Sequence, residues 1–122
     1  MTQSPADADA QFSKGVALEG LAQRDRALEA YRKAVSLDGN DTRFRLRLAQ
    51  TLWARDQYYQ AIEQWRTVAA MDPKNVDARL ALGAAYLRVG EPVEAFREYK
   101  RVLTIAPDHP EAVQALARMG TR

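Results

Sequence analysis

The chain returns to the same residue types every 34 positions, with no insertion or deletion. The matching columns hold small, aromatic or aliphatic residues: Gly15, Ala49, Gly83; Ala27, Ala61, Ala95; Tyr31, Trp65, Tyr99; and Leu37, Met71, Ile105. These columns define three repeats, 8–41, 42–75 and 76–109. A fixed period of this length indicates one supersecondary unit per repeat, with the core formed by stacking neighbouring units.

Within each repeat the apolar residues recur at intervals of three and four, which is helical spacing. The second repeat shows the pattern at Ala61, Ile62, Trp65, Val68 and Ala69. Short polar breaks divide the repeats at 23–25, 55–57 and 90–92. The spacing therefore predicts two antiparallel helices per repeat. No segment alternates with a period of two between hairpin signals, so we predict no sheet.

Capping signals agree with this division into helices. Ser4-Pro5-Ala6-Asp7 reads as a capping box and predicts that the first helix begins near Pro5. Pro92 suits the first turn of a helix. Later helix starts have candidate caps at Asn40 or Asp41, at Asn75, and at Asp108 or His109. Residues 110–120 repeat the opening of a fourth unit and predict a C-terminal capping helix.

The third repeat resembles a tetratricopeptide repeat most closely, with family residues at Leu82, Gly83, Tyr86, Gly90, Ala95, Tyr99 and Pro107. The resemblance implies one domain over 1–122 with an all-α fold, a right-handed α-solenoid of antiparallel helix pairs. The first repeat departs from the family at Lys14 and Gly39. The Trp column of the family is replaced by Gln11, Arg45 and Arg79, so this edge should pack differently.

We interpret the small and aromatic columns as core. The small residues let paired helices approach closely, and the aromatic residues fill the space between repeats. On this interpretation Trp65→Ala should cost about 3–5 kcal/mol.

The first helix of each repeat carries a second apolar stripe that this core does not use. A helix that is apolar on two faces must bury both or display one. By resemblance to the family, first helices line a concave groove that holds partner peptides. The candidate groove residues are Phe12, Val16, Arg43, Leu46, Arg47, Gln50, Trp53, Leu80, Ala84, Leu87 and Arg88. The alternative is that the stripe only packs on the adjacent repeat.

The composition of the candidate groove suggests the chemistry of a partner. Trp53, expected to be exposed beside Arg47 and Arg88, has the character of an interface anchor. Arg43 and Arg47 lie one helical turn apart and could hold one acidic group together. Repeat 42–75 has six Lys or Arg against three Asp or Glu. We therefore expect a protein or peptide partner with apolar anchors and an acidic group, although these charges could instead form a solvated face.

Chaperone-binding members of the family hold a C-terminal carboxylate with Lys, Asn and Arg side chains. At the matching positions this chain has Phe12 and Val16 in place of Lys and Asn, Arg47 in place of Asn, and Asp77 and Ala81 in place of Lys and Arg. We therefore predict no binding of chaperone C-termini of that kind.

Several function classes are disfavoured by composition. The 122 residues include no Cys and one His, and they lack phosphate-loop, dinucleotide-binding and nucleophile–base motifs, so we expect no enzyme, metal or cofactor. A formal charge of +2 and the absence of recurring base-reading side chains argue against nucleic acid. With no leader and no apolar run of about 20 residues, we expect no membrane insertion and a cytoplasmic location.

The sequence thus favours a non-enzymatic scaffold or adaptor that binds a peptide or amphipathic helix in its groove. The alternative is a self-associating structural module, a homo-oligomer whose apolar end faces meet as a dimer or head to tail.

Overall fold

The computed structural model describes residues 5–120, and this part of the chain is helical with no strand. Its helices are α1 (Pro5–Gly20), α2 (Arg24–Leu37), α3 (Thr42–Ala54), α4 (Tyr58–Met71), α5 (Val76–Arg88), α6 (Pro92–Ile105) and α7 (Pro110–Met119). The all-α prediction is therefore confirmed, and each predicted polar break falls at or beside a junction between two helices.

The chain divides into two compact units, residues 1–64 and 65–122. In the N-terminal unit α2 packs against both α1 and α3. In the C-terminal unit α6 packs in the same way against α5 and α7. In each unit the second helix of a repeat therefore packs against both the helix before it and the helix after it in sequence. This is the arrangement expected of consecutive antiparallel helix pairs.

Helix starts follow the predicted caps. The Asp41 carboxylate accepts from the backbone N–H of Arg43 at 3.0 Å, and the Asn75 side chain accepts from Ala78 N–H at 2.9 Å. His109 is the N-cap residue of α7 but makes no side-chain capping bond. Helices α1 and α6 begin at Pro5 and Pro92 as predicted. Ser4 of the predicted capping box lies outside the described residues.

The first helix of each repeat ends in the same left-handed turn. Ala22 and Asp56 both have φ of 61°, and Gly90 has φ of 82°. In the first of these turns the N–H of Gln23 donates to the carbonyl of Leu18 at 2.9 Å, and equivalent bonds close the other two. This is the hydrogen-bond pattern of a Schellman motif, which satisfies carbonyls at a helix end.

The core is built on aromatic rings that lie over glycines. All residues of the small and aromatic columns are buried, so the core prediction is confirmed. The ring of Tyr31 lies so close to Gly15 that a β-carbon there would overlap it. At Gly83 a β-carbon would lie 2.7 Å from Cζ of Tyr99. The small residues thus allow the first and second helices of a pair to approach closely.

In the second and third repeats, an arginine stands at the position of the family's Trp and forms hydrogen bonds. In the N-terminal unit Arg45 donates from Nε to the carbonyl of Gly39 at 2.8 Å and from Nη1 to Oε1 of Gln64 at 2.9 Å. The guanidinium therefore ties the loop before α3 to α4. At the equivalent position of the first repeat, Gln11 has a buried Oε1 with no hydrogen-bond partner among the described residues.

The C-terminal unit repeats this arrangement 34 positions later. Arg79 donates from Nε to the carbonyl of Pro73 at 3.0 Å and from Nη1 to Oε1 of Glu98 at 3.0 Å. Glu98 is buried and also accepts from Arg101 at 3.0 Å. The helix edge that was predicted to pack differently from the family is therefore held by hydrogen bonds and ion pairs.

Candidate functional site

The N-terminal part of the candidate groove contains an aromatic cluster. The ring centroid of Phe12 lies 5.0 Å from that of Phe44 and 5.8 Å from that of Tyr31. Phe12 is half-buried and packs against the core cluster of Ala8, Ala34 and Phe44. It therefore contributes to the core of the unit while keeping one edge accessible.

Arg43 covers this cluster and is held by acidic neighbours. Its guanidinium carbon lies 5.7 Å from the centroid of Phe12 and 5.2 Å from that of Phe44, within cation–π range. It also pairs with Asp41 at 2.6 Å and with Asp9 at 3.3 Å. The hydrogen bond from the Arg43 side chain lowers the pKa of the Asp41 carboxyl.

Arg47 takes part in a polar network that joins α1, α2 and α3. Its Nη1 donates to Oε1 of Glu19 at 3.2 Å. The hydroxyl of Thr51 lies 3.2 Å from the other Glu19 oxygen and 2.9 Å from the Arg47 carbonyl. The Tyr31 hydroxyl also donates to Glu19. One carboxylate on α1 thus receives hydrogen bonds from both α2 and α3.

The environment of Tyr31 disfavours its ionised form. Burial raises the pKa of the phenol above its ordinary value, and the hydrogen bond to Glu19 and the negative charge of Glu19 raise it further. The positive charge of Arg47 acts in the opposite direction. Tyr31 therefore stays a neutral donor to Glu19 at physiological pH.

Trp53 is half-buried, whereas the sequence suggested an exposed ring. Its ring centroid lies 4.4 Å from that of Tyr58, with the planes tilted by 49°. Tyr58 follows the turn after α3, and its hydroxyl donates to Asp56 at 3.0 Å. Of the remaining candidates in this unit, Leu46 is half-buried, whereas Val16 and Gln50 are exposed.

The candidates of the C-terminal unit lie on α5. Leu80 is half-buried, whereas Ala84, Leu87 and Arg88 are exposed. Leu87 is one of the large apolar side chains that the chain displays. This unit therefore presents an apolar strip on its first helix, with one arginine at the helix end.

Family models match most of the chain. A tetratricopeptide repeat model matches residues 46–110, and a second tetratricopeptide repeat model matches residues 8–41. The chain is a tetratricopeptide repeat protein. Domains of this family are typically non-catalytic interaction modules. No curated protein matches the chain.

Solved structures of tetratricopeptide repeat proteins share the fold. The first such domain of Spaghetti (RPAP3), bound to an HSP90 peptide, is 21% identical with a TM-score of 0.86, and the match covers 99% of this chain and 96% of that one. The second domain of human RPAP3, in complex with an HSP70 peptide, is 21% identical with a TM-score of 0.84, covering 98% and 100%. YrrB, described as having an unusual peptide-binding site, is 28% identical with a TM-score of 0.81, covering 89% and 56%. These neighbours are consistent with a helical solenoid.

The tetratricopeptide repeat protein shows no group of three or more His, Asp or Glu side chains able to hold a metal ion in the part of the chain that the structure describes. None of its described helices combines the length and apolar character needed to cross a membrane.

Sequence reasoning missed Glu19, Thr51 and Tyr58. A signal for Glu19 was available, because it stands 34 positions before Trp53 and is therefore in the same column as a groove candidate. Thr51 and Tyr58 gave no comparable signal. Their importance depends on contacts between helices that repeat spacing does not specify.

Proposed function

We propose that this tetratricopeptide repeat protein is a non-enzymatic scaffold or adaptor that holds a peptide or amphipathic helix of a partner protein along its first helices. The observation that carries the proposal is the mixture of accessible apolar and polar side chains on α3, where Trp53 and Leu46 are half-buried and Gln50 is exposed. Several structural neighbours are described as complexes with peptides, which supports a peptide partner in general terms. Half-buried aromatic side chains beside arginine are typical of interface hot spots.

The proposed partner has apolar anchors and an acidic group. The apolar anchors would meet Trp53 and Leu46 on α3. The acidic group would meet Arg47, whose side chain is 40% exposed although it pairs with Glu19. A guanidinium has five N–H donors, so a single bond to Glu19 leaves capacity for another acceptor.

The repeat division 8–41, 42–75 and 76–109, with 110–120 as a capping segment, is part of this proposal. We place the protein in the cytoplasm because a chain without cysteine needs no oxidising compartment to fold. Localisation of a tagged chain by cell fractionation tests that assignment.

Affinity capture tests the groove. The wild type should be compared with Trp53→Ala/Arg47→Ala and with a control, Tyr59→Ala/Arg97→Ala. The control removes an exposed aromatic residue from α4 and an exposed arginine from α6. We expect the wild type and the control to enrich one common protein that Trp53→Ala/Arg47→Ala loses. Equal capture by all three, with each confirmed as folded by circular dichroism, would exclude the proposed groove.

The second candidate function is self-association, and the apolar surface of the C-terminal unit favours it. Phe96 on α6 and Val113 on α7 are exposed although these two helices pack against each other. Light scattering of the purified protein over a hundredfold concentration range distinguishes the two functions. A constant monomer mass supports the adaptor, whereas a mass that doubles and reverts in Phe96→Ser/Val113→Ser supports self-association.

A further inference from the structure

Glu19 lies where the other repeats have groove residues. The column that contains it continues with Trp53 and Leu87, both of them candidates for partner binding. Glu19 therefore places a negative charge where the other two repeats have an apolar side chain. The side chain is 28% exposed, so a bound segment could approach it.

The Glu19 carboxylate is held in place by more than Arg47. Tyr31 on α2 donates to Oε1, the oxygen that Arg47 also contacts. The Thr51 hydroxyl on α3 lies 3.2 Å from Oε2, although its shorter contact, at 2.9 Å, is to the Arg47 carbonyl. Because Tyr31 donates to Glu19 from α2, an acceptor that arrives at Arg47 leaves the Glu19 carboxylate bonded to α2. The Glu19 carboxylate is therefore held beside the guanidinium by contacts on both α2 and α3.

A second carboxylate at Arg47 would experience repulsion from Glu19. Two carboxylates that both contact one guanidinium repel each other, and the repulsion is stronger where the site is partly buried. A neutral amide oxygen meets no such repulsion. The contact between Arg47 and Glu19 is also a single hydrogen bond rather than a bidentate pair, so unused N–H donors remain for an acceptor.

We propose that Glu19 is a specificity-determining residue that sets how strongly the groove selects an acidic partner group at Arg47. With Glu19 ionised, Arg47 prefers a carboxylate over a carboxamide only weakly. Removing the charge of Glu19 makes the same position selective for a carboxylate. This inference rests on the proposed function, because it presumes a peptide bound along the first helices.

Selection from a phage library of random decapeptides tests the inference. The wild type, Glu19→Gln and the control Glu29→Gln are used as targets. Glu29→Gln removes one exposed negative charge from α2, where Glu29 pairs only with Lys33 among the ion pairs described. We expect Asp and Glu to be enriched at one position more strongly in the Glu19→Gln pool than in the pools from the wild type and Glu29→Gln.

A synthetic peptide from the Glu19→Gln pool then quantifies the effect. Made with Glu and with Gln at the enriched position, it should bind Glu19→Gln with a difference of about tenfold in Kd. The same pair of peptides should differ by less than about threefold on the wild type. Adding Arg47→Ala to Glu19→Gln should abolish the preference.

The outcomes are separable. Pools that enrich peptides with equal acid content on the wild type and Glu19→Gln would overturn the role of Glu19 and leave the groove intact. Failure of every folded target to enrich any peptide would overturn the groove itself, and the inference with it. If Glu19→Gln unfolds, Glu19→Leu, which introduces the residue type found at Leu87, replaces it with the same expected result.

Discussion

Arg79 and Glu98 form a buried ion pair that takes the place of the family's Trp. The Arg79 side chain is 13% exposed and the Glu98 side chain 8% exposed, and Nη1 of Arg79 lies 3.0 Å from Oε1 of Glu98. Arg45 and Gln64 form the corresponding contact 34 residues earlier with a neutral acceptor. The same contact is therefore an ion pair in the third repeat and a hydrogen bond to a neutral amide in the second repeat.

Arg79→Ala should destabilise the protein by about 2–4 kcal/mol. Among the ion pairs of residues 5–120, it leaves the buried Glu98 carboxylate with the exposed Arg101 as its one partner. Arg45→Ala should cost only about 1 kcal/mol, since its partner Gln64 is neutral. Urea unfolding followed by circular dichroism measures both. Arg79→Leu/Glu98→Leu should recover most of the loss. An equal cost for Arg79→Ala and Arg45→Ala would contradict the importance of the charge.

Gly83→Ala should destabilise the protein by about 1–3 kcal/mol, because its β-carbon would lie within 2.9 Å of the Tyr99 ring. Gly20→Ala is the matched control, since nothing lies within 4 Å of a β-carbon there. That change should stabilise the helix by up to about 1 kcal/mol. Thermal or urea unfolding of the two variants should thus shift in opposite directions, and a parallel shift would argue against close packing at Gly83.

Ala22→Gly and Asp56→Gly should each stabilise the protein by about 0.5–1 kcal/mol. Both residues have positive φ, which strains an L-amino acid and suits glycine. Gly90→Ala should have the opposite effect, because Gly90 occupies the equivalent turn. Ala10→Gly, at an exposed helical position, serves as the control and should be destabilising. Loss of stability in Ala22→Gly would show that the turn conformation carries no strain.

The free energy of unfolding should fall as the pH rises above about 10. Unfolded tyrosine ionises near pH 10, whereas burial raises the pKa of Tyr31, Tyr86 and Tyr99 in the folded protein. The unfolded chain therefore releases protons first, and the stability present at lower pH is lost. Urea unfolding between pH 8 and 11 measures the slope. Tyr31→Phe should make it shallower, and an unchanged slope would rule out a contribution from this phenol.

The HSP90 peptide found on the first Spaghetti (RPAP3) domain should not bind this protein with micromolar affinity. At the positions that match the clamp of chaperone-binding members, the chain has Phe12, Val16, Arg47, Asp77 and Ala81 instead of the clamp side chains. Calorimetric titration of that peptide should give no measurable heat, with the Spaghetti domain as the positive control. Micromolar binding that Arg47→Ala abolishes would refute the prediction.

Much of the fold could be predicted from the sequence because repeat spacing is a local property. The three-and-four pattern of apolar residues sets the helices, and the 34-residue period sets which residues share a column. Caps such as Asp41 and Asn75 were identifiable because a side-chain oxygen needs only a neighbouring N–H. The turns at Ala22 and Asp56 gave no such signal, since neither residue type favours a positive φ as glycine does.

The candidate site was less predictable because its properties depend on contacts between helices. The sequence alone determined the repeat, the helix pairs and the core columns, all of which follow from spacing along one chain. Only the tertiary structure showed that Arg47 is paired with Glu19, that Phe12 packs against the core and that Arg79 donates to Glu98. Those pairings depend on how side chains from separate helices meet, and periodicity places residues on a face without specifying what they touch.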